Sequence, residues 1–202
     1  MSIFFLQRIF RNIKKIILLN KTNLFVQGTI ILKGDPIIEI SDLGSIEIHD
    51  NVTLNSLNKG YHVNMHSPVK LRAFSSGARI VIKKNTRIHG TCVHASQYIE
   101  IGEGCLIASN CQIFDGSGHD IYLSDPYERI KSTGDAKSII IGDNVWIGLN
   151  SIILPGTIIG QGSVVGAGSV VRGEFPECSF IAGNPAKRIK SIDSNREENQ
   201  IA

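Results

Sequence analysis

IGDNVW-IGLNSI-ILPGTI-IGQGSV-VGAGSV occupies residues 141–170. Cut into sixes, its first position reads Ile141, Ile147, Ile153, Ile159 and Val165, and Val171 continues the column. The fourth position reads Asn144, Asn150, Gly156, Gly162 and Gly168, the residue types that tolerate positive φ most easily. The fifth, Val145, Ser151, Thr157, Ser163 and Ser169, is mostly small. Each unit therefore reads as a short strand with its aliphatic side chain inward, followed by a tight corner. The template recurs at residues 101–118 (IGEGCL-IASNCQ-IFDGSG) and 82–93 (IKKNTR-IHGTCV), and more loosely at 25–36 (FVQGTI-ILKGDP). Residues 49–79 follow it poorly. One such unit cannot close a core, so the units must stack as coils, which predicts a parallel β-helix. The period does not give the hand of the coil, and parallel crossovers are normally right-handed.

Composition agrees with an all-β domain. Ile and Val supply 44 of the 202 residues, which favours strands, and aromatics are only 6%, so the core must be aliphatic. The length suits one domain with a small appendage. A net charge of +3 argues against a protein built to coat nucleic acid. The four cysteines form no CxxC pair, which argues against a zinc ribbon or a thioredoxin-like site. Cys92, Cys105 and Cys111 fall in the small fifth column and are expected to be buried structural thiols. Leu6, Ile9, Phe10, Ile13, Ile16 and Ile17 recur at helical spacing between Arg8, Arg11, Lys14 and Lys15. Residues 1–22 are therefore expected to form a basic amphipathic helix, too charged to span a bilayer. It would either lie on an anionic inner membrane surface or pack on the first coil or a neighbouring subunit. The β-helix is expected over 23–182, with an excursion loop at 119–138 and a tail at 183–202. The chain reads as cytoplasmic, with peripheral contact to the inner membrane face only under the first of the two alternatives for that helix.

The stretch IIIGDNVWIGLNSIILPGTIIGQGSVVGAGSVV, followed by FIAGNPAKRIK, resembles the hexapeptide-repeat acyltransferases. It is most similar to the branch of galactoside, maltose and xenobiotic acetyltransferases and polysaccharide O-acetyltransferases. The likeness is strong over residues 99–192 and weak before them. It implies a left-handed parallel β-helix, a homotrimer with active sites in clefts between neighbouring prisms, and acetyl-coenzyme A as donor, with no metal required.

The repeat breaks after Gly118, and a polar loop (HDIYLSDPYERIKSTGDAKS) runs from 119 to 138. His119 stands at the junction. A sugar hydroxyl barely attacks a thioester, whereas a base of pKa near 6.5 takes its proton in the transition state and is still unprotonated at neutral pH. In the related enzymes a histidine after a similar small-Gly pair is the general base, and Ser117, Gly118 and His119 match that pattern. Such a base needs an acceptor on its other nitrogen. Asp115, Asp120 or a backbone carbonyl would serve, and Asp115 is the expected orienter. The resemblance places Trp146 and Gly148 beside the donor; Gly148, Gly166 and Ala167 are small enough to let a pantetheine arm approach. Lys187, Arg188 and Lys190 would meet the nucleotide phosphates. A backbone N–H near Gly148 is the expected oxyanion donor. His94, Tyr122 and Arg129 are the expected sugar contacts, and the irregular residues 51–80 would shape the acceptor end of the cleft.

Three other readings compete. His89, His94 and His119 would make a zinc lyase of the same fold if they converged. A β-helix module without chemistry is the second, against which His119, Trp146 and the GNPAK segment argue. A small-molecule or amino-sugar N-acetyltransferase is the third. The leading expectation is an acetyl-coenzyme A-dependent O-acetyltransferase acting on a sugar or oligosaccharide acceptor in surface-polysaccharide synthesis.

Overall fold

The computed structural model describes residues 21–120 and 124–192. The expected amphipathic helix lies outside the described residues except for its last two positions. Strands of two to six residues, joined by corners, make up the successive coils and the final return strand. The first three coils are β1 (Leu24–Val26), β2 (Ile30–Lys33) and β3 (Ile37–Ile40); β4 (Ser45–Ile48), β5 (Val52–Asn55) and β6 (Lys70–Ala73); and β7 (Arg79–Ile82), β8 (Arg87–His89) and β9 (Cys92–Ala95). The next three are β10 (Tyr98–Ile101), β11 (Leu106–Ile107) and β12 (Gln112–Phe114); β13 (Ile139–Ile141), β14 (Trp146–Ile147) and β15 (Ile152–Ile153); and β16 (Ile158–Ile159), β17 (Val164–Val165) and β18 (Val170–Val171). β19 (Glu174–Phe175) and β20 (Ser179–Gly183) begin a seventh coil, and β21 (Ala186–Ser191) turns back antiparallel on β20. The segment expected as a tail from 183 thus contributes a strand.

Every third strand stacks in parallel, giving three sheets that form the faces of a prism. Sheet A starts with β1 and has seven strands, sheet B starts with β2 and has eight including β21, and sheet C starts with β3 and has six. The coils wind as a left-handed parallel β-helix. The first column of the repeat is the core: Ile101, Ile107, Ile113, Ile141, Ile147, Ile153, Ile159, Val165 and Val171 are all at most 1% exposed. Their register is direct, with Ile107 opposite Ile147 and Ile147 opposite Val165. Asn85, Asn110, Asn144 and Asn150 occupy the corners at φ between +56° and +63°, as the fourth column requires. The small fifth column is buried, and its hydroxyls close the corners: Ser151 Oγ donates to the Gly148 carbonyl at 2.7 Å and Thr157 Oγ1 to that of Leu154 at 2.7 Å.

Two expectations about small residues change. Cys105 and Cys111 are buried as expected, with thiols pushed up to about 11 by that burial. Cys92 is not in their column. The corner after β8 is one residue shorter, so Thr91 takes the buried position and Cys92 starts β9, half-buried and outward. Gly148, expected to leave room for a ligand, is also required by the close stacking of the coils. A Cβ there would sit 2.6 Å from the amide nitrogen of Ala167 on the next coil, and one on Gly142 would sit 2.7 Å from that of Gln161.

Two excursions leave the prism. Residues 56–69 bulge from the corner between sheets B and C, held by Asn110, whose side chain accepts from the His66 amide at 2.9 Å and donates to the Asn64 carbonyl at 3.0 Å. The second runs between β12 and β13. Its base is pinned where Ser117 N donates to the Asp135 carbonyl at 3.2 Å and Lys137 N to that of Asp115 at 2.7 Å. Inside it, a 3-10 helix (Pro126–Lys131) is capped by Asp125, whose carboxylate accepts from the Tyr127 amide at 2.9 Å. Because the inward column carries the core, Ile107→Ala is expected to cost about 2–5 kcal/mol. The outward neighbour Leu106→Ala should cost less than about 1.5 kcal/mol, with urea denaturation of both variants as the check.

Candidate active site

His119 sits where the second excursion leaves the prism. Its Nδ1 lies 2.7 Å from the Arg129 carbonyl oxygen. A carbonyl only accepts, so Nδ1 carries the proton, and in the neutral ring Nε2 keeps its lone pair. The same carbonyl accepts from Ser132 Oγ at 3.0 Å, and Ser132 Oγ in turn accepts from the Asp120 amide at 2.9 Å. The 3-10 helix therefore holds the ring through backbone contacts. Arg129, expected to meet a sugar with its side chain, contributes its backbone carbonyl to this contact, and its side chain is exposed.

Asp115 is not the orienter. It is fully buried, and its carboxylate accepts three backbone amides from the corner before β10: Ser96 at 2.5 Å, Gln97 at 2.9 Å and Tyr98 at 2.7 Å. Those bonds use its acceptor capacity to close the coil and leave no role at the imidazole. Nor does Gly148 supply an oxyanion donor, since its amide is committed to the Val165 carbonyl at 2.8 Å.

His119 lines a hollow of about 540 Å³ with Ser117, Asp120, Lys137, Leu154 and Arg172, over the outward face of sheet C. Trp146, Gly148, Gly166 and Ala167 line a different one, a groove of about 550 Å³ along sheet B. Trp146 is 53% exposed there. Outward residues form a continuous row across this sheet: Arg87, Leu106, Trp146, Val164, Phe180 and Lys190 are successive register partners. Lys187, Arg188 and Lys190 lie on β21 at the end of that row, exposed, with the Arg188 guanidinium donating to Ser191 Oγ. The structure thus gathers all the expected donor-binding residues on one face and sets His119 apart from them within the chain.

The other end of the groove was legible only as an irregular stretch. Residues 56–69 bring Tyr61 and His62 against His89, the Tyr61 ring stacked on that of His89 at 4.8 Å between centroids. Asn55, buried on β5, accepts from the Leu57 amide at 3.0 Å through Oδ1, so its Nδ2 donates to His89 Nδ1 at 3.1 Å. His89 is therefore held neutral with its proton on Nε2. Burial, then the nearby Arg87, Lys33 and His62, push its pKa down to about 4. Arg87 was readable in the repeat frame, since it occupies the outward sixth column that Trp146 occupies two coils on. The bulge, which has no period, carried no such signal.

The three histidines of the zinc reading are dispersed: His89 is on sheet B, His94 on the outward face of sheet C and His119 on the excursion. Among the described residues no group of three or more His, Cys, Asp or Glu side chains is placed to hold a metal ion. His94 pairs in register with Phe114, which borders the His119 hollow, and its pKa is lowered mainly by burial. Tyr122 lies outside the described residues. No helix among the described residues is long and apolar enough to cross a membrane.

Known proteins are similar to this chain in sequence and in fold. Residues 138–172 match the model of the hexapeptide repeat of succinyl-transferase. A putative acetyltransferase of Dictyostelium discoideum is 42% identical over 138 residues, 61% of this chain and 70% of that protein. The putative lipopolysaccharide biosynthesis O-acetyl transferase WbbJ of Escherichia coli K12 is 40% identical over 144 residues, 68% of this chain and 73% of that protein. Among solved structures, AntD, an N-acyltransferase from Bacillus cereus crystallised with dTDP and 3-hydroxybutyryl-CoA, superposes with a TM-score of 0.66 over 91% of this chain and 88% of its own, at 20% identity, a likeness of fold. The chain belongs to the hexapeptide-repeat acyltransferase family.

Two variants separate the structural carboxylate from the backbone orienter. Asp115→Ala leaves buried amides unpaired and is expected to cost about 3 kcal/mol or more of stability, read by urea denaturation. Arg129→Ala keeps the carbonyl, so its kcat should stay within about threefold of wild type. His89 adds a pH signature. Its folded pKa lies below the unfolded value, so the unfolded state binds more protons between about pH 6.5 and about 4. Stability should fall as pH drops through that window, and fall less in His89→Gln, as thermal melts across the range will show.

Proposed function

We propose that this chain is an acetyl-coenzyme A-dependent O-acetyltransferase acting on a sugar hydroxyl in surface-polysaccharide assembly. The observation that carries the reading is the His119 ring held by the Arg129 carbonyl, which leaves Nε2 free as a base. Acetyl-coenzyme A would supply an activated acetyl thioester. His119 would take the acceptor's hydroxyl proton at Nε2 as that oxygen bonds to the acetyl carbon and the C–S bond breaks, then return the proton to the departing thiolate. No covalent intermediate on the protein is needed, and the two buried thiols, held protonated near neutral pH, are poor nucleophiles.

The sheet B groove fits the donor. It is flat and apolar along Trp146, Gly148, Gly166 and Ala167, and cationic at the β21 end, three strand spacings or about 14 Å from the indole. An extended arm fits the first part and phosphates the second. The separation of His119 from this groove supports a homotrimer in which the sheet B face of one prism meets the His119 hollow of the next. Four free cysteines suit a reducing cytoplasmic setting, and the basic segment before residue 22 suits contact with the inner membrane face.

Thiol release from acetyl-coenzyme A with a panel of free, nucleotide-linked and oligomeric sugars tests the reading. At least one acceptor should turn over, and His119→Ala should lose at least about 100-fold in kcat while still binding the donor. Undiminished turnover in the variant would remove His119 from the mechanism. Light scattering should give three times the chain mass, and a monomer of full activity would refute the shared site.

A further inference from the structure

The end of the sheet B groove away from β21 is rich in cationic and basic side chains. Lys33 and Arg87 are exposed around the half-buried His89, with His62 on the adjoining bulge, and every charged group shifting the His89 pKa is one of these three cationic or basic side chains. On the other two faces four strand and strand-end cations have carboxylate partners, whereas Lys137 and Arg172 line the His119 hollow. Arg79 pairs with Glu47 at 2.8 Å and Lys83 with Glu100 at 2.7 Å on sheet A, while Lys70 and Arg72 share Glu39 at 3.4 and 2.9 Å on sheet C. Among the described residues, Arg87 has no carboxylate at ion-pair distance.

The surroundings of Arg87 are shaped for a sugar. Tyr61 stacks on His89 and borders the groove, an aromatic surface of the kind a sugar ring covers. His89, kept neutral by Asn55, presents an Nε2–H donor. Leu106 separates Arg87 from Trp146 along the row, so the guanidinium stands two strand spacings, about 10 Å, from the indole. That distance is on the order of one to two sugar rings.

We infer that the acceptor is anionic: a carboxylate or phosphate on the sugar, or on the unit attached to it, is held by Arg87 with Lys33 and His62 while the reacting hydroxyl lies toward Trp146. This rests on the proposed acetyl transfer and adds the chemical class of its acceptor. A planar guanidinium with no carboxylate partner among the described residues binds such an anion through paired N–H donors, whereas a neutral acceptor leaves that capacity to water.

The test compares matched probes by calorimetry on the intact protein: maltotriose against a glucuronate-ended trisaccharide, and glucose against UDP-glucose. Wild type should bind at least one charged probe about tenfold or more tighter than its neutral match. The advantage should shrink as salt rises from about 0.05 to about 0.5 M. Arg87→Gln, at an exposed position, should lose most of it. Lys84→Gln, which removes a cation paired with Glu103, should keep it. Preference for the glucuronate probe alone assigns an acidic glycan, and preference for UDP-glucose alone a nucleotide sugar. Equal binding of charged and neutral probes, no binding of any, or equal weakening of both by Arg87→Gln overturns the inference. His119→Ala should keep the binding preference while losing turnover, so loss of the general base and loss of anion recognition are read separately.

Discussion

Each coil of this protein rests on the next at the spacing of a parallel backbone ladder, and everything else follows from what that spacing permits. At the corners the chain turns within one or two residues, so a residue takes positive φ, asparagine or glycine at most of them and Cys178 before β20. Just past β13 and β14 the neighbouring coil comes so close that a Cβ on Gly142 or Gly148 would strike its backbone. Inside the prism one or two aliphatic side chains per strand meet their equivalents from the other sheets, and small hydroxyl or thiol residues fill corners. No unit satisfies these demands alone, so the core is a property of the stack.

A stack of this kind is rigid, and chemistry needs both a rigid support and something that departs from it. The two excursions meet that need differently. The one after β12 is tied at its base by backbone bonds and orients His119 through the Arg129 carbonyl. An orienting carbonyl carries no charge, so the ring is aligned without the electrostatic pull of a carboxylate partner. The excursion after β5 works on the opposite side of the same economy of form: it adds Tyr61 and His62 to a face whose strands alone would be a bare ladder. One face thereby gains an apolar middle flanked by cations at both ends.

The repeat made much of this readable. The inward isoleucines, the positive-φ asparagines and the loop at His119 all follow from the six-residue period and its interruption. The outward row on sheet B follows too, once the sixth column is recognised as the exposed one. Asp115 was misread because a carboxylate near a histidine in sequence carries no information about which way it points. Its side chain turns inward, where three amides await it, while His119 lies outside. Cys92 was misplaced because a corner shorter by one residue shifts the frame without disturbing the hydrophobic pattern around it.

The sequence by itself determined the stacking period, the identity of the core and the residue types able to make an acyl-transfer site, because each is set by local sterics repeated every six residues. Only the tertiary structure decided which groups meet. It showed that His119 is oriented by a carbonyl ten residues away, that His119 and Trp146 occupy different faces, and that Arg87 stands with His62 and His89. The physical reason is that these contacts are made between coils and across excursions, where distance along the chain has no fixed relation to distance in space.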